Sequence, residues 1–269
     1  MAILVLLWGV IFYPLYPELI RDWLGDSDNS HAFIVPLIAL YFVWNRKKML
    51  HSLPVATSAW GGVLLAASLF VYIVSSVGGI AFPARVAMVA SLFGLVWFCL
   101  GNEYIQKLAF PISFLLFMIP VPNSLISMAS LPLQLMATRI SAQLISCLSI
   151  PVYREGNMLY FVQTQLEVAE ACSGIRSIMS LTMISFIFCF LSRDGWLKKS
   201  ILVVSALPIA IMANIFRVAG TGVLAHFYGD KVARGFLHEF SGIAIFAFGF
   251  TLLFCVFIVL NREVANDIK

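Results

Sequence analysis

The chain has 269 residues, of which 61% are hydrophobic and only 11% are charged, whereas a soluble domain has about a quarter of its residues charged. Too few polar side chains are present to coat a water-soluble core, so the composition excludes a soluble globular protein and predicts a membrane protein. The net charge of +4 lies in short basic runs between apolar stretches, which is typical of an orientation signal and not of a surface that binds nucleic acid.

Apolar stretches long enough to cross a hydrocarbon layer of about 30 Å recur along the chain and are continuous, which favours helices. We predict an all-α polytopic membrane protein that forms one domain, residues 1–269, with about eight transmembrane helices. The N-terminal stretch has no basic region and no clear cleavage site, so we interpret it as a retained first span. In chain order the predicted spans are 2–20, 32–45, 59–77, 84–101, 107–121, 174–191, 200–225 and 240–260.

Basic residues indicate which loops face the cytoplasm. They follow the second, sixth and eighth spans, and an N-terminus inside the cell places all of these loops on the cytoplasmic side. The positions are Arg46, Lys47, Lys48, Arg193, Lys198, Lys199, Arg262 and Lys269.

The region between the fifth and sixth spans needs its own interpretation. Another full span over residues 122–150 would put the later basic loops outside, so we predict an amphipathic or re-entrant helix near the outer surface. Residues 151–171 contain the turn residues Gly156 and Asn157 between two strand-like runs. We therefore predict a small outer-face β-hairpin that leads directly into Cys172.

Three residues that are far apart in the sequence are predicted to lie at similar depth on the outer side. Cys172 lies at the outer end of the sixth span and His238 at the outer start of the eighth. Arg217 lies in the seventh span, about 12 Å from its outer end at 1.5 Å per residue, and an arginine at that depth is costly unless it is paired or functional. The five cysteines contain no CxxC pair, so no disulfide framework, metal site or cofactor is expected.

These residue types suit nucleophilic catalysis on an amide. A thiol at a helix N-terminus and near cations is activated as a thiolate, and Arg176 shares a helix face with Cys172 at spacing i, i+4. The thiolate attacks a carbonyl to give a thioester. His238 shuttles protons, while Arg217 stays charged and holds the oxyanion or orients the carbonyl.

Each candidate also has an ordinary structural interpretation. A lone cysteine is more often a packing residue, and Arg217 can also bind a carbonyl or neutralise Glu170 or Glu239. His31, after the acidic first loop, is a weaker candidate for a substrate entrance, and Arg85 is explained by snorkelling to the surface. Two other functions stay open, namely a transporter or channel that uses Arg217 as an anion site and a non-catalytic assembly factor for polysaccharide export.

Three motifs resemble those of the exosortase/archaeosortase family. The stretch from Glu170 to Ser177, EACSGIRS, resembles its cysteine motif, Asn214–Arg217 resembles N-x-x-R, and His238–Gly242 resembles H-x-x-S-G. His31 resembles a fourth element, S-H-G, in which Ala32 replaces the glycine. Beside Cys172, Arg217 and His238, the motif positions that we interpret as supporting or substrate-binding are Glu170, Ser173, Gly174, Arg176, Asn214 and Ser241.

The resemblance implies a membrane cysteine protease or transpeptidase without a cofactor. Its substrates would be membrane-anchored secreted proteins with a C-terminal PEP-CTERM sorting signal, which has a short Pro-Glu-Pro-type motif, a transmembrane helix and a basic tail. Cys172 would be the nucleophile, with Arg217 and His238 as its partners. A histidine in the third motif favours a bacterial exosortase, in the inner membrane with its active site at the periplasmic face. Lipids are expected partners and nucleic acids are not; the hairpin would offer an edge strand to the extended motif.

Overall fold

The computed structural model describes residues 2–25, 27–162, 164–168, 174–192, 195–229 and 236–266, with the backbone alone described for residues 2, 27, 28, 30, 236–241 and 262–266. The described chain is mostly helical with one small sheet, which confirms the helical fold class. By length and apolar composition, four described helices are candidate membrane spans, or up to six if each of two bent helix pairs is one span. The chain is therefore a multi-pass membrane protein, and the count of eight spans stays a prediction.

Contacts group the chain into two compact units, Met1–Pro122 and Asn123–Lys269. In the first unit, two short 3-10 helices, Ser27–Phe33 and Leu115–Met118, accompany the α-helices. The α-helices of this unit are α1 (Ala2–Ile11), α2 (Leu15–Gly25), α3 (Ile34–Asn45), α4 (Lys47–Leu50), α5 (Ala59–Val77), α6 (Ala81–Leu100) and α7 (Asn102–Phe114).

Helices α5 and α6 agree closely with the third and fourth predicted spans and pack as a pair. Their backbones approach each other at glycines: a Cβ on Gly61 would overlap the backbone N of Phe98, and a Cβ on Gly94 would lie 2.7 Å from the N of Leu65. Small residues permit such close approach between apolar helices.

The first predicted span, residues 2–20, is not one continuous helix. The chain forms α1 and α2, which bend by 67° at the break between them. Pro14 lies in this break and has no N–H to donate to the preceding turn, so the hydrogen-bond ladder is interrupted there, which favours the break.

Arg85 on α6 is not a snorkelling residue, so that interpretation is wrong. The residue is only 6% exposed, and its guanidinium lies 2.7 Å from a carboxylate oxygen of Asp22 and 3.7 Å from one of Glu18, both on α2. Burial of the charge is offset by these two carboxylates, which the sequence places in the first predicted span and the loop after it.

The described part of the second unit contains four helices that alternate in direction. Ser141 Oγ of α8 donates to the backbone O of Ile215 at 3.0 Å, and Ile145 packs on Gly222, so α8 and α10 run the same way. Cys189 Sγ near the end of α9 donates to Lys199 O near the start of α10, so these two are antiparallel. The helices are α8 (Asn123–Cys147), α9 (Ile175–Leu191), α10 (Trp196–Tyr228) and α11 (Phe236–Asn266).

The predicted amphipathic or re-entrant segment is α8, a single helix of 25 residues. Its polar side is buried within the protein rather than exposed to water. The buried polar residues recur at helical spacing and are Ser130, Gln134, Thr138 and Ser141. They bond along the helix and to α10, for example Thr138 Oγ1 to the O of Gln134 at 2.7 Å.

The sheet between α8 and α9 has three antiparallel strands in the order β1 (Val152–Glu155), β2 (Met158–Phe161) and β3 (Gln165–Glu167). This confirms the hairpin and adds a third strand. Gly156 has φ +59° and is the first residue of the two-residue turn, as a type II′ turn requires. Leu159 and Leu166 on one face of the sheet share a buried cluster with Ile145 of α8 and Val218 of α10.

Candidate functional site

The site is organised by the point at which α9 begins. Gly174 caps this helix with φ +83° and ψ 0°, in the left-handed region. A Cβ on Gly174 would lie 2.9 Å from both Cβ and Cγ of Asn214, and Asn214 itself is only 4% exposed. Glycine is required here for its backbone conformation and for space, and the contact joins the first and second motifs.

Along the axis of the neighbouring helix α10, helix α9 begins well before the level at which α10 ends. Gly174 is level with Asn214, whereas α10 continues to Tyr228, which is about 21 Å further along the axis. The sheet lies beside this last part of α10: the ring of Phe161 lies 6.0 Å from that of His226, and Leu166 belongs to the buried cluster that contains Val218. The candidate site therefore lies near the middle of α10, at the end of the sheet that carries the Gly156 turn.

The chain reaches this level from the sheet through Val168, which is 2% exposed and belongs to the same buried cluster as Val218 and Ala219 of α10. The backbone N of Val168 donates to the O of Asn157 at 2.9 Å. The side-chain Nδ2 of Asn157 donates to the O of Val168 at 3.3 Å. Sequence reasoning identified Asn157 only as a turn residue, because an interaction across eleven positions leaves no local signal.

The predicted nucleophile, Cys172, comes shortly after Val168 in the sequence. Residues 169–173, with Glu170, Cys172 and Ser173, lie outside the described residues. Of their two described neighbours, Gly174 packs on Asn214 of α10, and Val168 belongs to the buried cluster that contains Val218 and Ala219 on the same stretch of α10.

Arg217 lies on this same stretch, three residues after Asn214 and one before Val218. Its side chain is partly exposed, and its Nε atom is buried. Because α10 extends to Tyr228 rather than to residue 225, Arg217 is about 16 Å from the end of its helix, deeper than the predicted 12 Å.

Arg176 is exposed in the first turn of α9. The predicted helix face shared with Cys172 involves a residue outside the described ones; α9 itself begins at Ile175, after the left-handed Gly174. His31 belongs to the first unit, where it is partly exposed in the 3-10 helix Ser27–Phe33.

His238 and Ser241 lie in the first turns of α11, where the backbone alone is described. The register of α11 on α10 is given by two contacts: a Cβ on Gly249 would lie 3.7 Å from Cβ of Ala213, and the rings of Phe216 and Phe248 lie 6.2 Å apart. This antiparallel register puts the backbone of His238 about 12 Å along the axis from that of Arg217, towards the end of α10.

A cavity of about 810 Å³ lies at the other end of the sheet, away from the Gly156 turn. It is lined by the end of α8 and by β1 and β2, including Ser149, Tyr153, Tyr160 and Val162. Arg217, the candidate catalytic residue whose side chain the structure describes, does not line it.

The sequence model of a family described as Transmembrane exosortase (Exosortase_EpsH) matches residues 23–255. The match covers all three motifs. No curated protein and no solved structure matches the chain.

Proposed function

We propose, because this chain belongs to the transmembrane exosortase family, that it is a membrane-embedded cysteine peptidase or transpeptidase. Its substrates are exported proteins with C-terminal sorting signals of the PEP-CTERM type, and the intermediate is a thioester on Cys172. The observation that carries the proposal is the contact between Gly174 and Asn214. It brings the motif that contains Cys172 against the motif that contains Arg217.

The proposed reaction has two steps. The Cys172 thiolate attacks the scissile carbonyl carbon, the new C–S bond converts the carbonyl oxygen into an oxyanion, and the C–N bond then breaks. The leaving amine takes a proton from His238 and departs with the transmembrane helix and basic tail of the signal. In the second step His238 accepts a proton from water or an acceptor amine, which attacks the thioester and releases Cys172.

The charges around Gly174 support this division of roles. The start of α9 carries the positive end of the helix dipole, which favours a thiolate two residues before it in the sequence. A guanidinium presents several N–H donors in a fixed planar fork, so we assign Arg217 to the carbonyl oxygen. We assign His238, whose backbone lies about 12 Å from that of Arg217 along the axis, to the leaving amine and the acceptor, because an imidazole can both donate and accept a proton.

The basic residues support a periplasmic site in the bacterial inner membrane. Lys198 and Lys199 lie at the start of α10, at the end of the bundle opposite to Gly174, and Lys198 Nζ donates to the O of Leu260 at 2.9 Å. Basic residues mark the cytoplasmic side, so the site end of the bundle faces outwards.

The test is co-expression of a protein carrying a sorting signal with the wild type and with single variants. Cys172→Ala and Cys172→Ser should abolish processing, because neither retains the nucleophile. Cys147→Ala is the matched control, since Cys147 is an exposed cysteine at the end of α8, and it should process normally. Normal processing by Cys172→Ala, with loss in Arg217→Ala alone, would reject the enzyme and favour an anion site.

A further inference from the structure

We propose that the cavity of about 810 Å³ at the outer end of the sheet, together with the free edge of β1, binds the extended Pro-Glu-Pro-type segment of the sorting signal. This inference rests on the proposed function and assigns recognition of the substrate to described residues of the second unit. The cavity, the open strand edge and an unmatched cation lie next to one another along β1.

The cavity lies on the path from the outside to the candidate site. Phe161 belongs to its lining and lies beside His226 near the end of α10, which is about 14 Å beyond Arg217 along the helix axis. An extended chain rises about 3.3 Å per residue, so roughly four residues span this distance. Because the exported part of a substrate lies outside the membrane, the segment that joins it to the scissile bond has to pass this level.

Strand β1 is an edge strand with unpaired hydrogen-bonding groups. Glu155 and Met158 close the two-residue turn and exchange backbone hydrogen bonds, so the N–H and C=O groups of Val152 and Arg154 point away from β2. The strand order leaves this side open, and no backbone hydrogen bond among the described residues reaches it. An extended peptide can therefore add here as a further strand.

The cavity offers an aromatic surface where this edge begins. The ring centroids of Tyr153 on β1 and Tyr160 on β2 are 6.1 Å apart with an interplanar angle of 36°, and Tyr153 is 65% exposed. Pro151 and Val162 extend the lining on either side. Grooves lined by aromatic rings bind proline-containing segments, whose restricted backbone loses little entropy on binding.

The spacing of prolines in the segment also suits a strand edge. Only every second residue of an added strand turns its N–H and C=O towards β1. A glutamate between two prolines can occupy such a bonded position, while both prolines, which have no N–H, turn towards solvent. The missing N–H groups of the prolines therefore cost no hydrogen bond to β1.

Arg154 supplies the complementary charge. Its side chain is partly exposed, and its Nη1 donates to the backbone O of Gly156 at 3.0 Å. Among the described residues, no carboxylate forms an ion pair with it. The other N–H groups of the guanidinium can thus bind the carboxylate of the segment.

Steady-state processing by purified full-length protein in detergent tests the cavity. The substrate is a purified protein with a Pro-Glu-Pro sorting signal. Tyr153→Ala and Arg154→Gln should each raise KM by about 3- to 10-fold with kcat nearly unchanged, because the lost contacts form equally in the ground and transition states. Tyr228→Ala is the matched control, since Tyr228 is 67% exposed at the end of α10 and lies outside the cavity; it should keep the wild-type KM. A wild-type KM in Tyr153→Ala and Arg154→Gln, or an equal rise in Tyr228→Ala, overturns the inference.

Substrate variants identify the occupant. If Arg154 binds the glutamate of the segment, a glutamate-to-glutamine substrate should raise KM for the wild type but not further for Arg154→Gln. An alanine-for-proline substrate should likewise have no further effect on Tyr153→Ala. Independent, multiplicative effects of the enzyme and substrate changes would overturn the inference and assign the cavity to the fold or to contact with lipid.

Disulfide trapping separates this inference from the proposed function, because it reports binding without chemistry. In protein that carries Cys147→Ala and Cys172→Ala, Tyr153→Cys should form a disulfide in cells with a substrate whose first motif proline is replaced by cysteine, whereas Tyr228→Cys should not. Absence of the Tyr153→Cys product, or equal trapping at both positions, overturns the inference. Processing by Cys172→Ala overturns the proposed function instead, and the trapped product still reports the binding site.

Discussion

At the scale of single residues, the site depends on a contact that admits only glycine. Gly174 has a positive φ and no space for a Cβ beside Asn214. The first property is local and the second depends on α10, forty positions further along the chain. The motif alone identifies the glycine, but only the fold explains it.

Substitution of Gly174 by alanine should therefore destabilise the fold for two separate reasons. The left-handed conformation costs about 1 to 2 kcal/mol for a residue with a Cβ, and the contact with Asn214 must also open. Gly174→Ala should lower the unfolding temperature in detergent and abolish processing. Gly195→Ala is the matched control, because Gly195 also caps a helix, has φ −64° and has nothing within 4 Å of the added Cβ. A Gly174→Ala variant as stable and active as Gly195→Ala would contradict the packing described.

The two arginines of the motifs should differ in importance. Arg217 is partly exposed with a buried Nε, whereas Arg176 is exposed on the first turn of α9. If Arg217 stabilises the oxyanion, Arg217→Ala should lower kcat by about 100- to 1000-fold, and Arg176→Ala should have a much smaller effect. Steady-state processing by purified protein measures both. A larger loss in Arg176→Ala would reverse this assignment.

At the scale of elements, the sequence predicted the positions of long apolar helices and of the hairpin turn. Helices α5, α6 and α9 begin and end within a few residues of the predicted spans, because their apolar runs are uninterrupted. The break between α1 and α2 was missed although Pro14 marks it, since hydropathy continues across the proline. The burial of the polar side of α8 was also missed, because a polar face looks the same whether water or protein covers it.

The ion pair between α2 and α6 is a contact between helices that mutation can test directly. Asp22→Asn should destabilise the protein by about 1 to 3 kcal/mol, since it leaves part of the buried Arg85 charge unmatched. Replacing both partners, as in Asp22→Asn with Arg85→Met, should cost less than the sum of the single changes. Glu155→Gln, at an exposed position of β1, is the control and should leave unfolding unchanged. Additive effects of the two changes would show that the pair does not contribute.

At the scale of the whole molecule, composition establishes a membrane protein and the family match establishes its class. The three motifs and their order could be predicted from the sequence. The contact between the first two motifs could not, because it depends on the antiparallel packing of α9 on α10 and on the start of α9 at the level of Asn214. The distribution of basic residues predicts the orientation of the complete chain in the membrane.

This orientation can be tested by thiol labelling in cells. A membrane-impermeant maleimide should label the exposed Cys147, at the end of α8, in intact spheroplasts. In a Trp196→Cys variant, the new thiol lies in the first turn of α10, at a side chain that is 79% exposed in the wild type, and it should be labelled only after the membrane is opened. Labelling of both before opening, or the reverse pattern, would contradict the proposed topology.

The proposed reaction requires Cys172 to carry the acyl group of the substrate. Peptide mass spectrometry on protein purified with a co-expressed sorting-signal substrate measures this covalent intermediate. We expect an adduct on Cys172 whose mass equals the processed C-terminus in thioester linkage, which hydroxylamine removes and which Cys172→Ala lacks. Continued processing in Cys172→Ala, with no such adduct in the wild type, would show that Cys172 is not the nucleophile.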